Sequence, residues 1–283
     1  MAAAEARRSG VRPGGAVGRS DLYFALFLVA TLNAFAEPAL RQIEAAGPAR
    51  AAFNLLGISA ILWVALAAGL KILADDRGET PRLRGDAAVA AIVIAAAAIP
   101  TPVASGVALA FAALWAIATA GAGSPLRRAA IIFLAVTGAL VWGRLLLALL
   151  GRPLLDLDAL FVSTLLGAAR AGNMIWSQQA GMRIIVAPGC SSLQGISLAL
   201  ALWVTVNQYF KVRLDWRAVG YGLAALAVTM TVNVVRIAGL LNWPQHFEAI
   251  HTGWVSVLLM WAILLLVAGI CVFGARREIF RQV

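Results

Sequence analysis

Charged side chains are scarce in this sequence. Asp, Glu, Lys and Arg make up 13% of its 283 residues, about half of the share that is typical of a soluble domain. Hydrophobic residues make up 62%, and the mean hydropathy is +0.88. The apolar runs are continuous, whereas a membrane β-barrel would show short strands of alternating polarity. These properties exclude a soluble enzyme and predict an all-α polytopic membrane protein, with the lipid bilayer as a partner.

Cysteine and histidine are also rare, with two residues of each type. Two cysteines exclude a disulfide-rich scaffold. No second cysteine and no cluster of histidines and carboxylates accompanies Cys190 in the sequence, so we expect no metal site and no cofactor. The thiols and imidazoles available for chemistry are those of Cys190, Cys271, His246 and His251.

The formal net charge of +10 has two explanations. On a soluble protein it would indicate nucleic-acid binding. No basic stretch here has the size or the interleaved aromatic residues of a nucleic-acid-binding domain, so no nucleic-acid partner is expected. In a membrane protein, Lys and Arg accumulate on the cytoplasmic side, and this is the explanation that we favour.

Segments of about 20 mostly apolar residues are predicted to span the membrane as helices. Eight such segments are found, at 21–40, 50–73, 86–100, 103–122, 129–150, 191–210, 218–241 and 252–274. The weakest is 86–100, which is short; the alternative is a re-entrant hairpin formed with 103–122. The first segment also has the features of a signal peptide, with a cleavage-site pattern at 34–36, but we expect it to be retained.

Basic residues set the predicted orientation. With the N-terminus in the cytoplasm, 16 of the 23 basic residues lie on the cytoplasmic side, against 7 for the opposite orientation. The positive-inside rule therefore places both termini in the cytoplasm. Residues 1–20 are then a basic cytoplasmic tail and 21–150 the N-terminal transmembrane helices. Residues 191–283 comprise the C-terminal transmembrane helices, which carry the candidate site, and a second basic tail.

One long segment, 151–190, is predicted to lie outside and to lead to Cys190. Gly151-Arg152-Pro153 has the features of a helix stop. Residues 156–170 are predicted to form an amphipathic helix on the membrane surface. Two β-prone runs, 173–176 and 182–187, flank a polar turn that ends in glycine, and together they predict a small hairpin before the sixth helix.

Polar groups are costly inside a membrane, so each is a candidate for function. Cys190 lies where the chain enters the sixth helix. Ser191 and Gln194 have the spacing of a capping box, with Ser191 as N-cap. The positive end of the helix dipole would then favour the thiolate of Cys190. The alternative is that this cysteine is a small buried hydrophobic residue.

Two further candidates lie at the same predicted end of the bundle. Arg236 lies near the outer end of the seventh helix, with Asn233 on the same face; the alternative for Arg236 is an interaction with lipid phosphate. His251 opens the eighth helix. The alternative to a functional role is that it is an interfacial histidine without a function. A thiolate, an imidazole and a cation together have the groups that acyl transfer needs.

Three other polar residues are predicted to be structural. Cys271 lies near the inner end of the last helix, on the opposite side from Cys190, so geometry excludes a disulfide between them. Glu37 and Arg144 lie near the outer ends of the first and fifth helices. We expect them either to pair or to line the same cavity.

Three short motifs carry a family resemblance. Residues 190–195 (Cys-Ser-Ser-Leu-Gln-Gly), 233–237 (Asn-Val-Val-Arg-Ile) and His251 before Gly253-Trp254 resemble the exosortase/archaeosortase family, as does the run from 172 to 189 that precedes the cysteine. The resemblance covers roughly residues 155–270. The chain differs from the family at Ser192, where the family usually has glycine. It also differs in a shorter His-to-Gly spacing, which keeps His246 as a reserve catalytic candidate.

The resemblance implies a membrane-embedded cysteine protease or transpeptidase of the prokaryotic cytoplasmic membrane, with its active site facing outside. Such enzymes process C-terminal sorting signals of the PEP-CTERM type on exported proteins. The implied partners carry a C-terminal motif, a hydrophobic helix and a basic end. The implied catalytic residues are Cys190, Arg236 and His251, with Asn233, Ser191 and Asn173 in substrate-binding or supporting roles. The alternative is a non-enzymatic transporter or assembly factor for surface polysaccharide export.

Overall fold

The computed structural model describes residues 18–76, 81–99, 101–177 and 181–282. This part of the chain is mostly helical. Its helices are α1 (Arg19–Ala46), α2 (Pro48–Phe53), α3 (Ala60–Ala74), α4 (Arg84–Ala97), α5 (Pro102–Thr119), α6 (Pro125–Thr137), α7 (Gly143–Leu166), α8 (Leu193–Tyr209), α9 (Trp216–Asn242), α10 (Phe247–His251) and α11 (Trp254–Gln282). A π-helical turn, Gly138–Trp142, joins α6 to α7 without a break in the helix.

Within the described residues, five helical segments are long and apolar enough to cross a membrane, which indicates a multi-pass membrane protein. They are α1, α5, the continuous run Pro125–Leu166, α9 and α11. The other predicted spans are also helical, but α3, α4 and α8 have only 15, 14 and 17 residues. At 1.5 Å per residue, the 14 residues of α4 extend about 21 Å, less than the hydrocarbon core of about 30 Å. Eight complete spans are therefore not established by helix length.

The N-terminal helices pack around one core that contains the buried rings of Tyr23, Phe27 and Phe133. Alanines line the buried face of α5, and small residues let membrane helices approach closely. At one end of this core the carboxylate of Asp86 is fully buried. It accepts hydrogen bonds from Arg19 of α1, from Tyr23 and from Trp115. This buried network links α1, α4 and α5.

A second core joins α8, α9 and α11. Glycines permit the close approach of these helices. A Cβ atom on Gly222 would lie 2.9 Å from the ring of Trp203, and one on Gly274 would lie 3.0 Å from the ring of Tyr221. A third cluster, formed by α7, the C-terminal half of α9 and the strand region, lies beside Cys190. The candidate site is therefore built on its own small apolar core.

The predicted helix stop at 151–153 is wrong. Helix α7 continues through Pro153 and has its one non-helical residue at Leu150 (φ −120°, ψ 22°). Proline cannot donate a backbone hydrogen bond and its ring crowds the preceding turn, so the chain kinks here instead of ending the helix. The predicted surface helix, 156–170, is consequently the last part of α7. It ends at Leu166, with Gly167 in the left-handed conformation (φ 60°).

The predicted hairpin is present, but it belongs to a three-stranded antiparallel sheet, so the fold is not entirely helical. The strands are β1 (Ala169–Ala171), β2 (Met174–Ser177) and β3 (Met182–Ile185), in that spatial order. Met174 pairs with Ile185, and Ala169 pairs with Trp176. Residues 178–180 of the predicted turn lie outside the described residues, as do 1–17 of the predicted basic tail.

Candidate active site

Cys190 lies at the end of a short 3₁₀ turn, Pro188–Cys190, that follows the sheet. Asn173 fixes the approach to this turn. Its side-chain amide donates to the carbonyl of Val186 (3.0 Å), and its own carbonyl accepts from the Val186 amide (2.9 Å). The Cys190 side chain is half-buried against the apolar cluster of α7 and α9. Asn173 therefore holds the chain segment that leads into the turn, through its two hydrogen bonds to the backbone of Val186.

His251 is the residue that meets the thiol. The Sγ atom of Cys190 lies 4.0 Å from Nε2 of His251, although the two residues are 61 positions apart in the chain. The imidazole stacks on the ring of Phe247, with centroids 5.1 Å apart and planes 20° apart. Distances between catalytic groups are commonly long in the absence of substrate, and they shorten when it binds. This pair can exchange a proton after a small movement.

The helical context of His251 differs from the prediction. It does not open the last helix but ends the short helix α10, and α11 begins only at Trp254. Gly253 makes this tight connection possible, because a Cβ atom there would lie 2.8 Å from Cα of Ala249. The Gly253 amide donates to the carbonyl of Glu248 (2.8 Å), which closes the turn.

Asn233 connects α9 to the turn that contains Cys190. Its Nδ2 donates a hydrogen bond of 2.8 Å to the carbonyl of Cys190, and the residue is 7% exposed. One turn earlier on α9, Thr229 meets Gly195 of α8; a Cβ atom on Gly195 would lie 2.6 Å from Cγ2 of Thr229. The missing side chain at Gly195 thus lets α9 come close enough for Asn233 to hold Cys190.

Arg236 lies three residues after Asn233, on the same face of α9. The residue is half-buried, and its Nε atom is buried without a hydrogen-bond partner in the described part of the chain. No salt bridge to Arg236 is formed by the described residues either. This Nε–H is therefore available to an anion or a polar group supplied by a ligand.

The backbone amides of residues 190–193 are already engaged. The amide of Cys190 donates to Ala187 O (2.8 Å), that of Ser191 to Pro188 O (3.2 Å), that of Ser192 to Asp158 Oδ2 (3.1 Å) and that of Leu193 to Ser191 Oγ (3.2 Å). An oxyanion hole made from these four amides would need them free. These four amides therefore do not form such a hole, and Arg236 is a cation on the helix that contacts Cys190, with an Nε that has no partner among the described residues.

The predicted capping box at 191–194 is wrong. Helix α8 begins at Leu193, so its N-cap is Ser192 and not Ser191. The Ser191 hydroxyl still accepts from an amide, that of Leu193. The Ser192 hydroxyl does not cap the helix, because it donates to Oδ1 of Asp158 (2.6 Å). The N-terminus of α8 is occupied by a carboxylate from α7.

Asp158 was not among the predicted site residues. Residues 156–170 were predicted to lie on the membrane surface, where a carboxylate is unremarkable. One signal in the sequence could have identified it: Asp158 lies three positions after Leu155 and four before Val162, in the apolar stripe of its helix. A charged residue inside such a stripe indicates a buried partner.

His246, the reserve candidate, lies in an exposed 3₁₀ turn, Pro244–His246. Its side chain makes no hydrogen bond to any described residue, and it is not the histidine that contacts Cys190. Over the described ranges, no group of three or more His, Cys, Asp or Glu residues is arranged to hold a metal ion.

The remaining polar candidates lie elsewhere. Cys271 is buried in the core of α8, α9 and α11, whereas Cys190 packs on the cluster of α7 and α9, and both thiols are free. Glu37 and Arg144 line the same cavity of about 400 Å³. Glu37 pairs with Arg41 and not with Arg144. The two alternatives for Glu37 and Arg144 were a mutual pair or a shared cavity. The structure has the shared cavity.

Comparisons with protein-family models, with curated proteins and with solved structures find no match to this chain. Any functional assignment therefore depends on the chemistry of the site itself.

The contact between Gly195 and Thr229 generates a test of how the site is positioned. Gly195→Ala should lower the free energy of unfolding by about 1–3 kcal/mol, because the new methyl group overlaps Thr229 Cγ2 and overpacking carries a cost of this size. Thr229→Ser removes that methyl but keeps the hydroxyl that donates to Ala225 O. Most of the loss should therefore disappear when Gly195→Ala is made in the Thr229→Ser background.

The measurement is thermal unfolding of the purified protein in detergent, for both single variants and the double variant. An equal loss from Gly195→Ala in both backgrounds would contradict the proposed contact.

Proposed function

We propose that this chain is a membrane-embedded cysteine peptidase or transpeptidase. The observation that carries the proposal is the contact of 4.0 Å between Cys190 Sγ and His251 Nε2. A solvent-accessible thiol beside an imidazole is the usual arrangement of an activated cysteine nucleophile. We assign Arg236 as the cation of this site, because it lies on α9, the helix that holds the Cys190 carbonyl, and its Nε has no partner among the described residues.

The proposed reaction has two steps, acylation of the Cys190 thiol and deacylation of the resulting thioester. His251 accepts the thiol proton, and the thiolate attacks the carbonyl carbon of the scissile peptide bond. The C–S bond forms, the C–N bond breaks, and the imidazolium returns its proton to the leaving amine. An acceptor amine or a water molecule then attacks the thioester carbon and loses its proton to His251; the new C–N or C–O bond forms, the C–S bond breaks, and the released Cys190 thiolate takes the proton back from the imidazolium. An amine acceptor gives transpeptidation, and water gives hydrolysis.

Arg236 stabilises the oxyanion that develops in each step. The amides of residues 190–193 are engaged, so they do not supply this function. The planar guanidinium presents several donors in a fixed fork, which suits an oxygen that carries developing charge. The same group is able to orient a substrate carboxylate.

An exposed apolar face near the site supports the proposed substrate class. Helix α11 exposes Trp254, Leu258, Trp261 and Leu265 along one face, starting three residues after His251. Such a face suits lipid or the apolar helix of a substrate. We propose C-terminal sorting signals as substrates, made of a recognition motif, a hydrophobic helix and a basic end. The helix would dock laterally, so that the motif that precedes it reaches Cys190.

The proposed location is the cytoplasmic membrane of a prokaryote. The chain would cross it eight times, with α3, α4 and α8 as shorter spans beside the five long ones. The excess of basic residues, 16 on one side against 7 on the other, supports cytoplasmic termini. In this orientation Cys190, His251 and Arg236 face the outside, where exported proteins are processed.

The first test compares the two thiols in cells. Cys190→Ala should abolish C-terminal processing while the protein remains folded in the membrane, because the half-buried turn loses little packing. Cys271→Ala is the matched control; it changes the other thiol, which is buried in a separate core. The readout is mass spectrometry of the C-termini of exported proteins in a deletion strain complemented with each variant. Normal processing with Cys190→Ala would instead favour a non-enzymatic component of surface polysaccharide export.

The second test concerns the histidines and needs no substrate. His251→Ala should slow the alkylation of Cys190 by iodoacetamide at neutral pH by about tenfold, because a cysteine without a paired base has only a few per cent of thiolate. His246→Ala should leave the rate unchanged, since His246 is exposed and does not contact the thiol. The rates are measured in a Cys271→Ser background. If His246→Ala is the slow variant, the assignment of the base is wrong.

A further inference from the structure

Asp158 is a buried carboxylate that the proposed reaction does not use. The residue is 3% exposed and lies in α7 between the buried side chains of Leu155 and Val162. An ionised group in such surroundings is costly unless it is paired or hydrogen-bonded. The described residues form no salt bridge with it. Its hydrogen bonds within this part of the chain both come from Ser192.

The two hydrogen bonds fix Ser192 at both of its donors. The backbone amide donates to Oδ2 (3.1 Å) and the hydroxyl donates to Oδ1 (2.6 Å). Ser192 is the N-cap of α8, so the carboxylate lies at the positive end of the helix dipole. This placement offsets part of the cost of burying Asp158. It also ties α7 to the first turn of α8.

The fixed residue lies two positions after Cys190. On the other side, Asn233 holds the carbonyl of Cys190 itself. The nucleophile turn is thus attached to α7 through Asp158 and to α9 through Asn233, and these two attachments determine where Sγ lies relative to His251. The Asp158 carboxylate thus lies at this helix end, and the group that contacts the Cys190 thiol is His251.

We propose that Asp158 is a positioning residue for the nucleophile, which holds the Cys190 turn in contact with His251 through its two hydrogen bonds to Ser192. The inference rests on the proposed function. It assigns a role to a residue that touches neither the substrate nor the reacting atoms. It predicts that replacing Asp158 and replacing His251 disrupt the same contact, the one between Cys190 and His251.

The test is a double-mutant cycle on the alkylation rate of Cys190 by iodoacetamide, followed from neutral to alkaline pH in a Cys271→Ser background. Asp158→Ala should slow alkylation at neutral pH by about tenfold, as His251→Ala does, because the thiol loses its paired base. The double variant Asp158→Ala/His251→Ala should be no slower than either single variant, since the same contact is lost in each. At alkaline pH all rates should converge.

Two variants separate positioning from folding and from charge. Asp158→Asn keeps the shape, and its amide can accept from the Ser192 amide and donate to the Ser192 hydroxyl, so its alkylation rate should stay within about twofold of the parent rate. Asp156→Ala is the matched control. It removes a neighbouring carboxylate of the same helix that does not contact Ser192, and it should alkylate at the parent rate.

The outcomes distinguish the two claims. If His251→Ala does not slow alkylation, the proposed function fails. If His251→Ala is slow while Asp158→Ala alkylates at the parent rate, the positioning role alone is wrong. Additive losses in the double variant, or an Asp158→Asn variant as slow as Asp158→Ala, would likewise overturn positioning. Rescue by Asn together with a non-additive double variant would support it.

Discussion

The contact between Cys190 and His251 is the interaction on which the account of this site depends. It joins the entrance of α8 to the end of α10, two points 61 residues apart, at a distance of 4.0 Å. Neither group reaches the other by local structure alone. The contact requires α9 to run back beside α8 and requires the chain to turn sharply at Gly253 before α11. The arrangement of the C-terminal helices therefore decides whether the thiol has a base.

Hydrogen bonds in an apolar setting hold this contact in place. A buried polar group without a partner is costly. The turn that contains Cys190 is therefore stable only when its donors and acceptors have hydrogen-bond partners. Asp158 and Asn233 supply two of these matches from neighbouring helices. The exception is Nε of Arg236, which is buried without a partner in the described chain. The proposed oxyanion role would give this Nε a partner when substrate is bound.

The sequence supported good predictions wherever one strong physical rule applied. Long apolar runs predicted helices, and the described structure has a helix within each of the eight predicted segments. The two β-prone runs on either side of the polar turn 177–181 predicted the hairpin, and β2 and β3 are present. Cys190, Arg236 and His251 stood out because polar groups are rare in such a chain. Their catalytic roles remain predictions.

The errors arose where tertiary context decides local structure. Pro153 looked like a helix stop, but a kink at Leu150 accommodates it, and α7 continues. Strand β1 has the sequence Ala-Arg-Ala, which has no strand preference of its own; pairing with β2 creates it. Ser191 had the spacing of a capping residue, whereas the N-cap is Ser192, whose amide and hydroxyl donate to Asp158, 34 positions earlier. A local sequence pattern spans only a few residues, so it does not reveal a partner that lies 34 positions away.

The most direct test of the central claim is the detection of a covalent intermediate on the thiol. The purified chain would be incubated with an exported protein whose C-terminal tail has a short motif, an apolar helix and a basic end, and its intact mass would be measured with and without hydroxylamine. The account predicts an acyl adduct on Cys190 that hydroxylamine releases and that Cys190→Ala lacks. Cleavage of the same tail by the Cys190→Ala protein, with no adduct on the parent chain, would contradict it.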